Sequence, residues 1–357
     1  MKIALVYLGR RGSGGPISLA LTRALAAQGA QVEVFLSSGL ETMPAWAGEA
    51  IHTVPTYGSS LGAAWSLLAP FAIRRLAQQI RAARPDVLLF PMFHLWNAPV
   101  QRALAPIPAM VIAHDPRPHP GVTGWLHAHF EDASLRQAAR VLVLSQELAP
   151  ELAQRGVPVA HILAIPHGLL EVACQPRTAS TAPLVLFFGR ITPYKGLEVL
   201  LQAYRLLQAR RSQVRLLIAG EGSLAPYRRL LDGLSGVELI NHWIPEDELP
   251  SIFGRAALLV LPYTSASQSG VLALAAACEL PVVATRSGGL SRQICDGQTG
   301  LLVSPGSVEE LAQAIDRLLA DPSAARQMGA ALRRSLEQEQ SWAQAAARLL
   351  AAAADLL

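Results

Sequence analysis

Arg190 and Lys195 share the stretch FFGRITPYKG, residues 187–196, which closes an apolar run and is punctuated by Gly189, Pro193 and Gly196. A strand ending at Gly189 puts both cations at the carboxyl edge of a sheet, and Pro193 with Gly196 fits a turn ahead of the helical pattern LEVLLQAYRLLQA. Arginine forks onto two phosphate oxygens, lysine serves as a point charge, and a helix start adds unpaired N–H groups, so the stretch reads as an anion site. An exposed turn with incidental charges has the same spacing.

A second segment, YTSASQSGV at 263–271, directly follows the strand-like ALLVLPY and precedes the apolar LALAAAC. Small residues admit a ligand close to the backbone, and Ser269, Gly270 and Val271 present N–H groups at a helix start, unless they only cap it. A third strand end, AGEG at 219–222, offers Glu221. A carboxylate is repelled by a bound diphosphate, so Glu221 suits a basic neighbour, a neutral hydroxyl of the ligand, or an ordinary turn. Two cradles at equivalent edges of one sheet point to a diphosphate.

In the first half, KIALVYL runs into GRRGSGGP at 9–16, where Gly12, Gly14 and Gly15 allow tight turning and close approach. The dinucleotide spacing G-x-G-x-x-G fails because Ile17 takes its last place, and Ser37 and Ser38 stand where an acidic residue would meet a ribose. A nicotinamide enzyme is disfavoured. The run MVIAH leads into HDPRPHPG at 114–121, putting His114 and Asp115 at a sheet edge, with His119 in the same loop. There an imidazole can donate to a sugar hydroxyl or phosphate and a carboxylate can accept, or His114 is a satisfied core residue and Asp115 a turn cap.

The elements that must position these residues follow from periodicity. Continuous apolar runs at 2–8, 31–36, 86–90, 110–114 and 141–145 suit strands covered on both faces, each followed by a helical pattern. After QPRTASTAP, 175–183, the rhythm restarts with runs at 184–189, 214–220, 237–240, 257–263, 281–285 and 300–303. The expected organisation is a doubly wound domain over 1–174, a linker at 175–183, a second domain over 184–338 and a terminal helix over 339–357. In that helix Trp342, Ala346, Leu349 and Leu350 share a face. Ligands of such sheets sit beyond the carboxyl ends of the strands.

Composition sets the outer limits. With 357 residues the chain is long for one core, and no uncharged apolar run reaches the roughly 18 residues of a membrane span. The N-terminal run is too short for a signal-peptide core. Up to position 178 there are 14 basic against 10 acidic residues, a mild excess with no basic run interleaved with aromatics, so nucleic-acid binding is excluded as a reading. Cys174, Cys278 and Cys295 fit no metal or disulfide pattern and read as small buried hydrophobes in a reducing compartment. Residues 70–84, PFAIRRLAQQIRAAR, form an amphipathic helix with Ala69, Ile73, Leu76, Ile80 and Ala83 on one stripe and Arg74, Gln78, Arg81 and Arg84 on another. Such a helix is an ordinary packed one or a peripheral contact with an anionic membrane.

Taken together, the GSGG loop, VLSQELAPELAQRGVPVAHILAIPHG, FFGRITPYKGLEVLLQAY and LPVVATRSGGLSRQICDGQTGLLVSPG resemble family 4 glycosyltransferases, most specifically in the second domain. The resemblance implies a GT-B fold, two Rossmann-like doubly wound parallel-sheet domains facing across a cleft. It implies that Arg190 and Lys195 of G-R-x-x-x-x-K-G, with Gly189, bind the donor diphosphate, that Gly14 and Gly15 approach the donor phosphate or the acceptor, and that His114 contacts the donor sugar. Members usually carry two glutamates whose places here are Ala266 and Leu274; a branch with S-Q-S-G-V fits better, though Ser265 stands where it often has a glutamate. Gln268 then takes over part of that polar work.

The expected function is a retaining hexosyl transfer from a nucleotide diphosphate sugar to a glycan or lipid-linked acceptor, in the cytoplasm or peripherally at the membrane's inner face. No covalent nucleophile is evident and no D-x-D element stands near a strand end, so neither cofactor nor metal is expected. Arg190, Lys195 and the 269–271 backbone would stabilise the leaving group. The alternative is a catalytically weakened accessory subunit that binds a nucleotide sugar or a partner. A nucleotide-sugar epimerase is a third class, marked by release of a changed free sugar nucleotide.

Overall fold

The computed structural model describes residues 1–357 except 60–61, 63–65, 67–70, 115–124, 145, 170–171, 173, 175–181, 265–268 and 340. Its described residues form two compact units, Met1–His167 with Gln340–Leu357, and Gly168–Glu339.

The first unit is built on β1 (Lys2–Tyr7), α1 (Gly14–Ala27), β2 (Gln31–Ser37), β3 (Ile51–Val54), α2 (Phe71–Ala83), β4 (Val87–Phe90), α3 (Asn97–Leu104), β5 (Ala109–Ala113), α4 (Trp125–Gln137), β6 (Arg140–Val143), α5 (Ala149–Gln154) and β7 (Ile162–Ala164). Its parallel sheet runs β3-β2-β1-β4-β5-β6-β7. The central strands are apolar throughout because helices cover both faces, and Leu5, Phe35, Leu88, Phe90 and Val141 are wholly buried. Two strands, β3 and β7, go beyond the five runs that apolarity alone marks. Both are edge strands: IHTV exposes its middle residues and ILA is half-buried, so neither has the buried composition that reveals a central strand.

The second unit contains β8 (Leu184–Phe188), α6 (Leu197–Arg210), β9 (Arg215–Ala219), α7 (Arg228–Leu231), β10 (Val237–Ile240), α8 (Leu249–Arg255), β11 (Leu258–Leu261), α9 (Gly270–Ala277), β12 (Val282–Thr285), α10 (Leu290–Gln293), β13 (Leu301–Val303), α11 (Val308–Ala320) and α12 (Pro322–Glu339). The parallel order is β10-β9-β8-β11-β12-β13, with α6 and α11 packed on one buried cluster. Strand order therefore reverses at β1/β4 in the first sheet and at β8/β11 in the second. At such a point the loops leave in opposite directions and open a crevice.

Helix α13 (Trp342–Ala354) belongs to the first unit, where it packs on α1 and Arg348 donates to the carbonyl of Ala164 (3.0 Å). Its buried stripe is Ala345, Ala346, Leu349, Ala352 and Ala353, with Leu350 only half-buried. Helix α2 keeps the amphipathic pattern, burying Ile73, Leu76, Ala77 and Ile80; Ala69 lies outside the described residues and Arg84 falls beyond the helix.

The cysteine expectation fails. Cys174 and Cys278 are joined by a disulfide, with Cα atoms 5.3 Å apart, and Cys295 is exposed rather than buried. A separation of 104 residues gives no spacing signal, because the doubly wound topology brings the start of this unit beside the end of α9.

Beyond β4 the chain packs an aromatic group. The His94 ring stacks on Tyr57 at 4.9 Å and meets Trp96 edge-on at 5.6 Å, while Trp96 Nε1 donates to Ser66 Oγ (2.8 Å). Nδ1 of His94 accepts from the Trp96 N–H (3.2 Å), which fixes the neutral ring with its proton on Nε2. Burial holds the His94 pKa down to about 3 from 6.5. Because the unfolded chain binds the proton first, stability is intact above pH 6.5 and falls as pH drops toward 3, by about 1.4 kcal/mol per unit at the steepest. His94→Asn, whose Oδ1 can accept the same N–H, should show a flatter fall between pH 6.5 and 4.5 in urea unfolding. Equal slopes for the two proteins would contradict the assignment.

Candidate functional site

Strand β8 ends in Gly189, and the following residues turn through Pro193–Lys195 into α6. Gly196 makes that turn possible. Its φ is +68°, and a Cβ there would lie 1.9 Å from the Pro262 carbonyl oxygen, so only glycine lets the turn press against the segment leaving β11. Gly220 has a similar constraint, φ +147° with a Cβ position 2.1 Å from the Gly189 oxygen. The β8, β9 and β11 ends are thereby drawn together at the switch point.

Lys195 is the outcome of that closeness. Although charged, it is only 8% exposed. Its Nζ donates to Tyr263 Oη at 2.7 Å and stands 4.3 Å from the Tyr263 ring centroid. A Cβ on Gly189 would be 3.2 Å from Nζ and 3.7 Å from Val271 Cγ2, so lysine, strand end and the start of α9 meet at one place. Among the described residues no carboxylate pairs with Lys195 or with the exposed Arg190. Ser269 is the N-cap of α9 but makes no side-chain cap bond; its Oγ lies 3.4 Å from Tyr263 Oη. The Leu272 N–H donates to the Ser269 carbonyl (3.0 Å) and the N–H groups ahead of it open α9, so a buried ammonium and a helix start come together at this edge of the sheet.

Glu221 is exposed, its carbonyl accepting from the Ile191 N–H (2.8 Å) and its carboxylate pairing with no described residue. Next to it a cavity of about 530 Å³ opens at the ends of β9 and β10, walled by Gly222, Leu224, Leu239 and Asn241, with Arg228 and Asp232 from the α7 side. Leu274, at one of the two places where the resemblance leads one to expect a glutamate, is buried in α9.

In the first unit, Gly14 and Gly15 open α1. The space their missing side chains leave is taken by Tyr7 and Thr42: Cβ positions would fall 2.5 Å from Tyr7 Cε2 and 2.2 Å from Thr42 Oγ1. His114, just after β5, donates from Nε2 to the Pro91 carbonyl (2.9 Å), and its ring centroid lies 6.3 Å from that of His167. Asp115 and Gln268 lie outside the described residues, as do His119, Ser265 and Ala266.

Tyr263 is the site residue that motif reading passes over. Its role rests on the burial of Lys195 and on the 2.7 Å distance to Nζ, neither of which the sequence displays.

Two Rossmann-like parallel sheets, the second with Lys195 buried at its switch point, define the class of protein as GT-B. A "Glycosyl transferase 4-like domain" matches residues 13–168 and "Glycosyl transferases group 1" matches residues 182–321. The chain belongs to the glycosyltransferases of the GT-B, family 4 type. It is 29% identical to a D-inositol 3-phosphate glycosyltransferase of Arthrobacter sp. (strain FB24), over 87% of this chain and 83% of that protein. It is 33% identical to a GDP-mannose-dependent alpha-(1-6)-phosphatidylinositol monomannoside mannosyltransferase of Mycolicibacterium smegmatis, over 47% of this chain and 46% of that one. HepE of Anabaena, solved with UDP and glucose, has the same fold, with a TM-score of 0.70 at 18% identity over 97% of this chain and 98% of its own.

Gly196→Ala is expected to cost at least about 3 kcal/mol, since backbone strain and a clash with a carbonyl add. Chemical unfolding measures this, and a loss under about 1 kcal/mol would show that the turn does not depend on glycine.

Proposed function

We propose that the protein is a retaining glycosyltransferase that moves a hexosyl group from a nucleoside diphosphate sugar to a glycan or lipid-linked acceptor. The observation that carries this reading is the buried Lys195, held by a neutral hydroxyl and lacking a carboxylate partner among the described residues. A fixed, uncompensated charge beside Arg190 and a helix start suits a pyrophosphate. Support comes also from the names of relatives, a GDP-mannose-dependent mannosyltransferase among them, and from HepE, solved with UDP-glucose.

In the proposed reaction the bond between the anomeric carbon and the diphosphate oxygen breaks, and that oxygen gains the electron pair. The acceptor hydroxyl then bonds the anomeric carbon from the same face, and the departing diphosphate takes its proton. Arg190, Lys195 and the Ser269–Val271 backbone oppose the charge growing on the leaving group, which is worth most in a site fixed before reaction. These groups supply the charge that a divalent ion would otherwise provide, so transfer should persist in chelator. The cavity beside Gly222 and Asn241 is the proposed seat of the base, with Leu224 and Leu239 against its ring. Gly14, Gly15 and His114 serve the acceptor side and the donor sugar, and Asp115 and Gln268 complete the polar set.

Helix α2 exposes Arg74, Arg75 and Phe71, the last 76% exposed, and Arg84 follows it. This face is proposed to rest on an anionic bilayer, giving access to a lipid-linked acceptor from the cytoplasm, where the donor is available. With Cys174 and Cys278 paired, the cytoplasmic placement stands on the donor alone and not on the cysteines. The second reading, an accessory subunit that binds donor without transferring it, is favoured by the burial of apolar Leu274 where the family resemblance implies a carboxylate.

Screening UDP-, GDP- and ADP-sugars with varied acceptors separates the two readings. Transfer that falls by about 100-fold or more in Arg190→Ala and Lys195→Ala supports the enzyme. Tight donor binding with no turnover for any acceptor supports the accessory subunit. For the membrane contact, Arg74→Glu with Arg75→Glu should abolish sedimentation with phosphatidylserine vesicles, while transfer to a soluble acceptor stays as in the parent; unchanged sedimentation would remove α2 from that role.

A further inference from the structure

We propose that Tyr263 is a positioning residue for the diphosphate grip: its hydroxyl fixes the Lys195 ammonium and ties it to the start of α9 without neutralising it. The inference rests on the donor reading above and assigns a residue that reading leaves unused.

An ammonium taken out of water needs acceptors, and the usual solution is a carboxylate. At this site a carboxylate would cancel the field offered to the phosphates and add repulsion of its own. A phenol avoids both costs. Its oxygen accepts from Nζ at 2.7 Å, the ring stands 4.3 Å from the same nitrogen, and the phenolic proton is free to point elsewhere. Among the described residues the atom within reach is Ser269 Oγ, 3.4 Å away, on the N-cap residue whose side chain makes no cap bond. Lys195 after β8 and the helix start after β11 are thus connected through one hydroxyl.

Tyr263 is itself held rigidly. It is 2% exposed, its carbonyl accepts from Thr285 Oγ1 at 2.5 Å, and Thr285 Oγ1 lies 3.2 Å from Ser287 Oγ. The next residue, Thr264, donates its N–H to the Tyr194 carbonyl (2.8 Å), bonding the Tyr263 segment to the turn that carries Lys195. The hydroxyl therefore sits at a fixed point on both strand ends, as a positioning group must.

Tyr263→Phe keeps the ring and deletes only the hydroxyl. Binding of UDP, GDP, ADP and inorganic pyrophosphate is measured by calorimetry for the parent, Tyr263→Phe, Lys195→Ala and the double variant. The expected result is a loss of roughly tenfold for Tyr263→Phe, the size of a hydrogen bond to a charged group, and no further loss in the Lys195→Ala background. Equal binding by parent and Tyr263→Phe, or the same fold loss in both backgrounds, overturns the proposal. A ligand-free readout is also available because Lys2 and Lys195 are the only lysines. Amine acetylation followed by mass spectrometry, with Lys2 as reference, should find Lys195 labelled several-fold faster in Tyr263→Phe, and unchanged labelling overturns the hold. If the parent binds no probe, the donor reading fails while the labelling still decides whether Tyr263 fixes the lysine. Should Tyr263→Phe not fold, Ser269→Ala gives a smaller loss in the same direction that vanishes without Lys195, and a loss that persists there overturns the link.

Discussion

A cation cannot be buried without an acceptor, and in the second unit the cation is Lys195. The rest of that unit's carboxyl edge is arranged around this demand. Tyr263 supplies the acceptor, Thr285 fixes Tyr263 from the neighbouring strand, and Gly196 lets the turn that carries the lysine come against Pro262. The Lys195–Tyr263 and Gly196–Pro262 contacts join residues remote in sequence and adjacent at the β8/β11 reversal, and Thr285 adds the neighbouring β12, so the sheet order itself brings the acceptor to the charge.

The choice of a neutral acceptor has a functional meaning. Structural lysines at protein surfaces pair with carboxylates at little net gain, as Lys2 does with Glu33 at 3.0 Å. Lys195 is built otherwise, buried yet uncompensated among the described residues, with exposed Arg190 a turn away. Stability alone would favour neutralising such a group, and the proposed function gives the uncompensated charge a role, to meet an anion that arrives from outside. In the proposed transfer from a nucleoside diphosphate sugar such a site would be used as charge appears on the leaving diphosphate when the sugar departs.

How much of this was legible varied with burial. Central strands such as IALVY and LVLFF announce themselves, since a strand covered on both faces has no polar alternation. The edge strands IHTV and ILA do not, because half their surface meets water and their composition approaches that of a loop. Arg190, Lys195 and Ser269–Val271 stood out in the sequence because helix starts after strands have a recognisable composition. Tyr263 did not, since a tyrosine after a strand is common and only its distance to Nζ gives it a role. The disulfide between Cys174 and Cys278 was hidden for the same reason: nothing local marks a contact across 104 residues.

The sequence by itself determined the class of fold, the two-unit rhythm and the residue types at each strand end, because hydrophobic periodicity and turn chemistry are local properties that short-range sterics enforce. Only the tertiary structure decided which strand ends meet, that the glycines of the first loop are filled by Tyr7 and Thr42, and that a phenol holds the buried ammonium. Those outcomes depend on strand order and on packing between distant segments, where a few tenths of an ångström separate a hydrogen bond from a clash.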